Sequence, residues 1–157
     1  MKLTDRKKEP YKVGVLSVVK HDYLPRAIAA HPRFNLSFVS DEISRPEWTH
    51  ERNQKFADEF QIPYIKDISA AIKDNQIDAV AVSPEAERHC ELAIIAAEAG
   101  LHIVVDKPLS TNTHQCDKLI DAVNENGVRC LVWNRNYLPA LIQANQKVSS
   151  GEIGKLL

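Results

Sequence analysis

Residues 102–108 read HIVVDKP, a short β-branched run that ends in an acid, a lysine and a proline. Valine and isoleucine favour strands, and an uninterrupted apolar run is typical of a strand buried in a parallel sheet. The proline ends the strand because it has no N–H to donate to a neighbouring strand. Asp106 and Lys107 then lie at the carboxyl end of the strand, which is where open α/β sheets bind ligands. A charged turn without a ligand is the alternative interpretation.

The composition indicates a globular chain with one domain and no polyanionic partner. The chain has 157 residues and a formal net charge of −1 at pH 7. This balance argues against binding to nucleic acid or to an anionic membrane surface. No apolar run reaches the length of a membrane span, and the polar start lacks the apolar segment of a signal peptide. The three cysteines have no metal-like spacing, so we expect buried free thiols, a reducing cytoplasm and no metal site. They are Cys90, Cys116 and Cys130.

Strand patterns alternate with helical patterns along the chain, which predicts an α/β fold with helices on both faces of a parallel sheet. The predicted strands are residues 12–19, 34–40, 63–65, 77–82, 102–105 and 129–133. The predicted helices are residues 25–30, 46–60, 68–73, 84–99, 112–123 and 139–149. Gly100 suits the end of the fourth helix, and Asn112 with Gln115 resembles a capping box at the start of the fifth.

Several segments, taken in order, resemble one family. They are Val82-Ser83-Pro84 with His89 in the following helix, the Asp106-Lys107-Pro108 turn, WNRNY at residues 133–137 and SGEIG at residues 150–154. From Tyr11 to Leu157 their order and spacing resemble the nucleotide-binding domain of the Gfo/Idh/MocA oxidoreductases. The resemblance implies a Rossmann-like, doubly wound parallel sheet in a three-layer αβα arrangement. It assigns residues 11–150 to this domain, 1–10 to a polar N-terminal extension and 151–157 to the start of a second, substrate-binding domain.

The resemblance also assigns roles at the carboxyl edge of the sheet. Lys107 corresponds to the lysine that lies near the nicotinamide and the substrate hydroxyl, so it is the predicted catalytic residue. Asp106 replaces the usual glutamate of that motif. The offset of His89 from Pro84 differs by one residue from the commonest pattern, and a merely packed or solvated side chain is the alternative interpretation for this histidine. The predicted cofactor-binding residues are Ser17, Val19, Asp41, Ser83, Pro84, His89, Asp106, Lys107, Asn134 and Arg135.

The predicted cofactor is NAD or NADP, with NAD favoured by Asp41. This acid follows the second predicted strand, where a carboxylate accepts hydrogen bonds from the adenosine ribose and repels a 2′-phosphate. Turn formation by the Ser40-Asp41-Glu42 cluster is the alternative interpretation of the same acid.

The glycine-rich turn after the first strand is missing. The family pattern G-x-G-x-x-G would place glycines at Ser17, Val19 and Asp22. A branched Val19 is expected to occupy the position of phosphate oxygens and to resist a positive φ. Asp22 is expected to cap the following helix with its carboxylate and so to compete for the anion site. Lys20 and His21 could partly offset that repulsion.

Two functions therefore remain open at this stage. The first is the cofactor-binding domain of an NAD(P)-dependent oxidoreductase acting on a sugar, polyol or related hydroxy compound, with its small-molecule substrate held mainly by the second domain. The second is a non-catalytic sensing, regulatory or scaffold module that has lost dinucleotide binding, as the missing glycines suggest. Homo-oligomer formation is left open in both.

Overall fold

The parallel sheet predicted from the sequence is confirmed. A computed structural model describes residues 9–134 and 138–155. Six strands pair in parallel in the order β3-β2-β1-β4-β5-β6, which is the doubly wound order of a Rossmann fold. The strands are β1 (Tyr11–Val18), β2 (Phe34–Ser40), β3 (Tyr64–Ile65), β4 (Ala79–Ser83), β5 (His102–Val105) and β6 (Cys130–Val132).

Helices connect the strands and cover both faces of the sheet. They are α1 (Tyr23–Ala29), α2 (Glu47–Phe60), α3 (Ile68–Asp74), α4 (His89–Glu98), α5 (Thr113–Glu125) and α6 (Pro139–Ser149). On one face, Val13 and Val15 of β1 pack with residues of α1 and α2. On the other face, Leu16 packs with residues of α3, α4 and α5 in the largest apolar cluster. The alternation of β1 side chains between the two faces therefore produces the three layers.

The structure differs from the sequence prediction at the start of α4 and in the cap of α5. The segment after β4 does not continue as one helix from Pro84, because residues Ala86–Arg88 form a 3₁₀ turn and α4 begins only at His89. At α5 the Asn112 side chain accepts the Gln115 N–H, as predicted, but the Gln115 side chain bonds Ser110 instead of returning to Asn112. Only one of the two hydrogen bonds of a capping box therefore forms.

The predicted end of α4 at Gly100 is confirmed. Gly100 adopts a φ of +75°, and the N–H groups of Gly100 and Leu101 bond the carbonyls of Ala97 and Ala96. The three cysteines are free thiols, of which Cys90 is buried. In residues 9–134 and 138–155, no helix has the length and apolar character required to cross a bilayer.

Candidate functional site at the carboxyl edge of the sheet

The sheet brings most of the predicted site residues to one edge. Ser17 lies near the end of β1, Asp41 follows β2, Ser83 ends β4, Asp106 and Lys107 follow β5, and Asn134 follows β6 by two residues. Arg135 lies outside the described residues. Because parallel strands all end at the same edge of the sheet, residues more than a hundred positions apart in sequence lie along one edge.

Lys107 lines a cleft of about 430 Å³ at this edge of the sheet. Its side chain is exposed, and within residues 9–134 and 138–155 no carboxylate forms an ion pair with it. Asp106 and Lys107 therefore form no side-chain ion pair with each other. The other residues that line the cleft are Lys20, His21, Pro84, Glu85, Ala86, Glu87, His89, Asp106 and Pro108.

Asp106 is a buried anchor for the turn that carries Lys107. Its Oδ1 accepts a hydrogen bond from the Lys107 backbone N–H at 2.7 Å and another from the Tyr23 hydroxyl at 2.5 Å. Tyr23 is the first residue of α1, and the sequence interpretation did not identify it. Asp106 thus fixes the backbone of Lys107 and leaves the ammonium group free to contact a ligand.

His89 forms hydrogen bonds with both loops that border the cleft. Its side chain is buried, and its ring nitrogens lie 2.6 Å from the Pro108 carbonyl oxygen and 3.2 Å from the Pro84 carbonyl oxygen. Pro84 is buried beside it. The contacts place His89 under the cleft as a positioning residue; direct contact with a cofactor stays a prediction.

Two residues that replace family glycines, Ser17 and Val19, lie at the end of β1 and in the turn that follows it. Ser17, at the first glycine position, adopts the left-handed conformation with a φ of +63°. Val19 has no positive φ, as expected for a branched residue, and its N–H donates to the Ser83 carbonyl. The Val19 side chain is largely buried at the edge of a cleft beside this turn, and its effect on phosphate binding stays a prediction.

Asp22 does not cap α1. It occupies the N-cap position, but its carboxylate makes no capping hydrogen bond and instead accepts the Arg26 Nε–H at 2.7 Å. The expectation that this carboxylate caps α1 is therefore wrong, and its competition with a bound anion stays a prediction. A second cleft of about 370 Å³ lies beside this turn, and its charged lining residues are Lys20, Asp22, Arg26, Arg52, Lys55 and Glu59.

Asp41 lies where the sequence placed it, but its carboxylate is fully buried. Oδ1 accepts from Arg88 Nη2 at 2.5 Å and from the Glu42 N–H at 2.9 Å, and Oδ2 accepts from Asn53 Nδ2 at 3.0 Å. Burial is the largest single influence and opposes ionisation of Asp41, but the hydrogen bond and charge of Arg88 together with the other hydrogen bonds to the carboxylate outweigh it, so the pKa of this carboxyl lies below its usual value. A ribose hydroxyl could reach Asp41 only if Arg88 moved. Contact between Asp41 and the ribose stays a prediction.

The edge has features that fit a dinucleotide. Lys20 and His21 line both clefts, so the two openings lie on either side of the β1–α1 turn, where a pyrophosphate crosses in Rossmann folds. The Ser83 hydroxyl is buried at the end of β4 and has no hydrogen-bond partner among the described residues.

Comparison with known proteins agrees with this geometry. Residues 13–134 match the family described as the oxidoreductase family with an NAD-binding Rossmann fold. The chain is 32% identical over 115 residues to levoglucosan dehydrogenase from Pseudarthrobacter phenanthrenivorans, a match that covers 73% of the chain and 29% of that enzyme. It is 36% identical over 85 residues to scyllo-inositol 2-dehydrogenase (NAD(+)) from Bacillus subtilis, which covers 54% of the chain and 25% of that enzyme.

Solved structures show the same fold. Myo-inositol 2-dehydrogenase from Lactobacillus plantarum superposes with a TM-score of 0.81 at 18% identity, over 95% of this chain and 44% of that one. The chain spans less than half the length of each of these relatives.

Proposed function

Because the chain belongs to the oxidoreductase family with the NAD-binding Rossmann fold, we propose that it is the cofactor-binding part of an NAD(P)-dependent oxidoreductase. Its substrate would be a sugar, polyol or related hydroxy compound. The observation that carries the proposal is the unpaired ammonium group of Lys107, held over the carboxyl-edge cleft by the buried Asp106.

The chemistry divides between the cofactor and the chain. A bound nicotinamide would accept or return the hydride of the substrate carbon. Lys107 would donate a hydrogen bond to the reacting oxygen and relay the hydroxyl proton as that oxygen changes between alcohol and carbonyl. Asp106 and His89 would hold the backbone on either side of Lys107 so that the ammonium group stays at the cleft.

The substrate class rests on the relatives. Those named above are dehydrogenases of a sugar derivative and of inositol, and this favours the enzyme over the non-catalytic module. Because the chain spans less than half of them, a second domain would supply most of the substrate contacts. Homo-oligomer formation would be a property of that larger protein. The free cysteines are consistent with a cytoplasmic location.

The first test is thermal unfolding of the 157-residue chain with NADH and with NADPH. A ligand present at about a hundred times its dissociation constant adds roughly 2.7 kcal/mol to the free energy of unfolding. For a domain of this size, that corresponds to a rise in Tm of roughly 5–10 °C. No rise with either dinucleotide would contradict the proposal and favour the non-catalytic module.

The second test addresses Lys107 in a polypeptide that includes a substrate domain. Lys107→Met is expected to lower kcat by about 10²–10³-fold, within the range typical of general acid–base catalysis. Cofactor affinity should change little because the Asp106 anchor contacts only the Lys107 backbone. Lys118→Met, an exposed lysine on α5, is the matched control. Equal kcat in both variants would rule out a catalytic role for Lys107.

A further inference from the structure

Three cysteines that are far apart in sequence meet in one apolar cluster. Cys90 is fully buried in this cluster, and Cys116 and Cys130 pack against it as partly buried residues. The proposed function gives none of them a role. Thiols that lie side by side can be oxidised to a disulfide, and their positions decide which two react.

Cys90 and Cys116 are the adjacent pair. Cys90 is the second residue of α4 and Cys116 is the fourth residue of α5. The two helices pack against each other, and both begin at the carboxyl edge of the sheet, so the two thiols lie near the same end of the helix pair. Cys116 is close enough to act on the Cys90 thiol through its charge and through a side-chain hydrogen bond, whereas Cys130, on β6, acts more weakly and through its charge.

The two thiols differ in their access to solvent, and this difference orders the reaction. Cys116 is half-buried, so a small oxidant can reach its sulfur. Cys90 is buried, and its pKa is raised to about 11, first by burial and then by the Cys116 thiol. Oxidants react with accessible thiolates, so Cys116 is the first thiol to react and Cys90 is the one that completes the bond.

We propose that Cys90 and Cys116 are an oxidation site, which forms a reversible disulfide between α4 and α5 in the presence of hydrogen peroxide. The Cys116 thiolate attacks one oxygen of the peroxide, the O–O bond breaks, and a sulfenic acid forms as hydroxide leaves. The Cys90 sulfur then attacks the Cys116 sulfur, the S–O bond breaks, and the Cys90 proton leaves with the hydroxyl group as water. The two thiols together lose two electrons and two protons, and the peroxide is reduced to two molecules of water.

The disulfide would also change the support of the loop that carries Lys107. In the reduced protein the Cys90 Sγ–H donates to the Leu109 carbonyl at 3.3 Å, next to the Pro108 carbonyl that lies 2.6 Å from a ring nitrogen of His89. Oxidation consumes the thiol hydrogen, so Leu109 loses this bond while α4 and α5 become covalently joined. The oxidation state of the pair is therefore coupled to the connection between β5 and α5.

The test is peptide mapping of the 157-residue chain after treatment of the folded protein with hydrogen peroxide. Free thiols are then alkylated with iodoacetamide in urea, and the chain is digested with trypsin without reduction. Trypsin leaves Cys90 and Cys116 on one peptide, residues 89–118, because a proline follows Lys107, and it leaves Cys130 on another. We expect both cysteines of the 89–118 peptide to escape alkylation until dithiothreitol is added, and Cys130 to be alkylated throughout.

Cys130→Ser is the matched control, and it should leave the yield of the disulfide within about twofold of wild type. Cys116→Ser should leave Cys90 fully alkylated, because the buried thiol then has no accessible partner. Oxidised wild type should unfold at a Tm roughly 5–15 °C above that of the reduced protein, since the bond constrains the unfolded chain. Cys116→Ser should show no such rise.

Four outcomes would overturn the inference. They are full alkylation of Cys90 and Cys116 in wild type after an excess of peroxide, a disulfide that joins Cys130 to either thiol, reversible oxidation of Cys90 in Cys116→Ser, and a Tm of oxidised wild type that lies below that of the reduced protein. None of these outcomes depends on dinucleotide binding, so the inference and the proposed function are tested separately.

Discussion

Removal of the Asn53 side chain should destabilise the fold more than any exposed substitution on α2. Asn53 is fully buried and joins the ends of two strands. Its Oδ1 accepts the Val18 N–H at the end of β1, at 2.6 Å, and its Nδ2 donates to Asp41 after β2, at 3.0 Å. Asn53→Ala would leave a buried backbone donor and a buried carboxylate oxygen without these partners.

The two lost contacts set the expected magnitude. A buried group left without its hydrogen bond costs about 1–3 kcal/mol, so the two together predict a loss of roughly 2–6 kcal/mol in the free energy of unfolding. At about 2–4 °C per kcal/mol for a chain of this length, Tm should fall by roughly 4–24 °C. Urea unfolding followed by circular dichroism measures the free energy directly, and a calorimetric scan measures Tm.

Gln54→Ala is the matched control on the same helix. Gln54 is exposed, and its amide bonds only the exposed Asp58. Its loss should change the free energy of unfolding by less than about 0.5 kcal/mol, as is usual for surface substitutions. If Asn53→Ala proved as mild as Gln54→Ala, water or a shifted side chain would be satisfying both groups, and the reasoning from buried contacts would be refuted.

Three further predictions concern pH, packing and thiol reactivity. The Asp41 carboxyl has a lowered pKa in the folded state, so its stabilisation is complete above about pH 5 and is lost as the pH falls through about 4 and below. The difference in unfolding free energy between wild type and Asp41→Asn should therefore shrink from pH 6 to pH 3; a constant difference in urea titrations would contradict this. Gly14→Ala places a Cβ 2.5 Å from the Phe38 ring and should lower the free energy of unfolding by about 1–3 kcal/mol. Because the smaller Leu relieves this clash, Phe38→Leu should lower the free energy of unfolding, measured in urea, less in the Gly14→Ala background than in wild type. Burial raises the pKa of Cys90 and of Cys130 to about 11, so iodoacetamide at pH 8, followed by mass spectrometry, should label these thiols only after denaturant is added.

The strand and helix positions could be predicted because they follow from local patterns. Buried parallel strands appear as apolar runs, and these runs are bounded in this chain by residues such as Asp41, Pro84 and Pro108. The carboxyl-edge location of Asp106 and Lys107 follows from the same patterns, since parallel strands end on one side. The exact start of α4 could not be predicted, because a proline at the first helical position is equally compatible with the 3₁₀ turn that forms.

The contacts of the site residues depend on partners far away in sequence. Tyr23 bonds Asp106 across 83 positions, and Arg88 bonds Asp41 across 47. No periodicity or motif links these residues, because each pair meets only when the sheet has assembled. The buried position of Asn53 could not be predicted either, because a polar residue in an amphipathic helix ordinarily faces solvent.

The β4–α4 connection shows why an acid at the end of β2 is insufficient to define cofactor preference. The segment between Pro84 and His89 contains the 3₁₀ turn that carries Arg88, and Arg88 reaches the buried Asp41 carboxylate. An acid whose charge is already compensated neither repels a phosphate nor offers free oxygens to a ribose. Cofactor preference at this position therefore depends on which groups remain unpaired after folding, and the Asp41 carboxylate, which is bonded to Arg88, is not one of them.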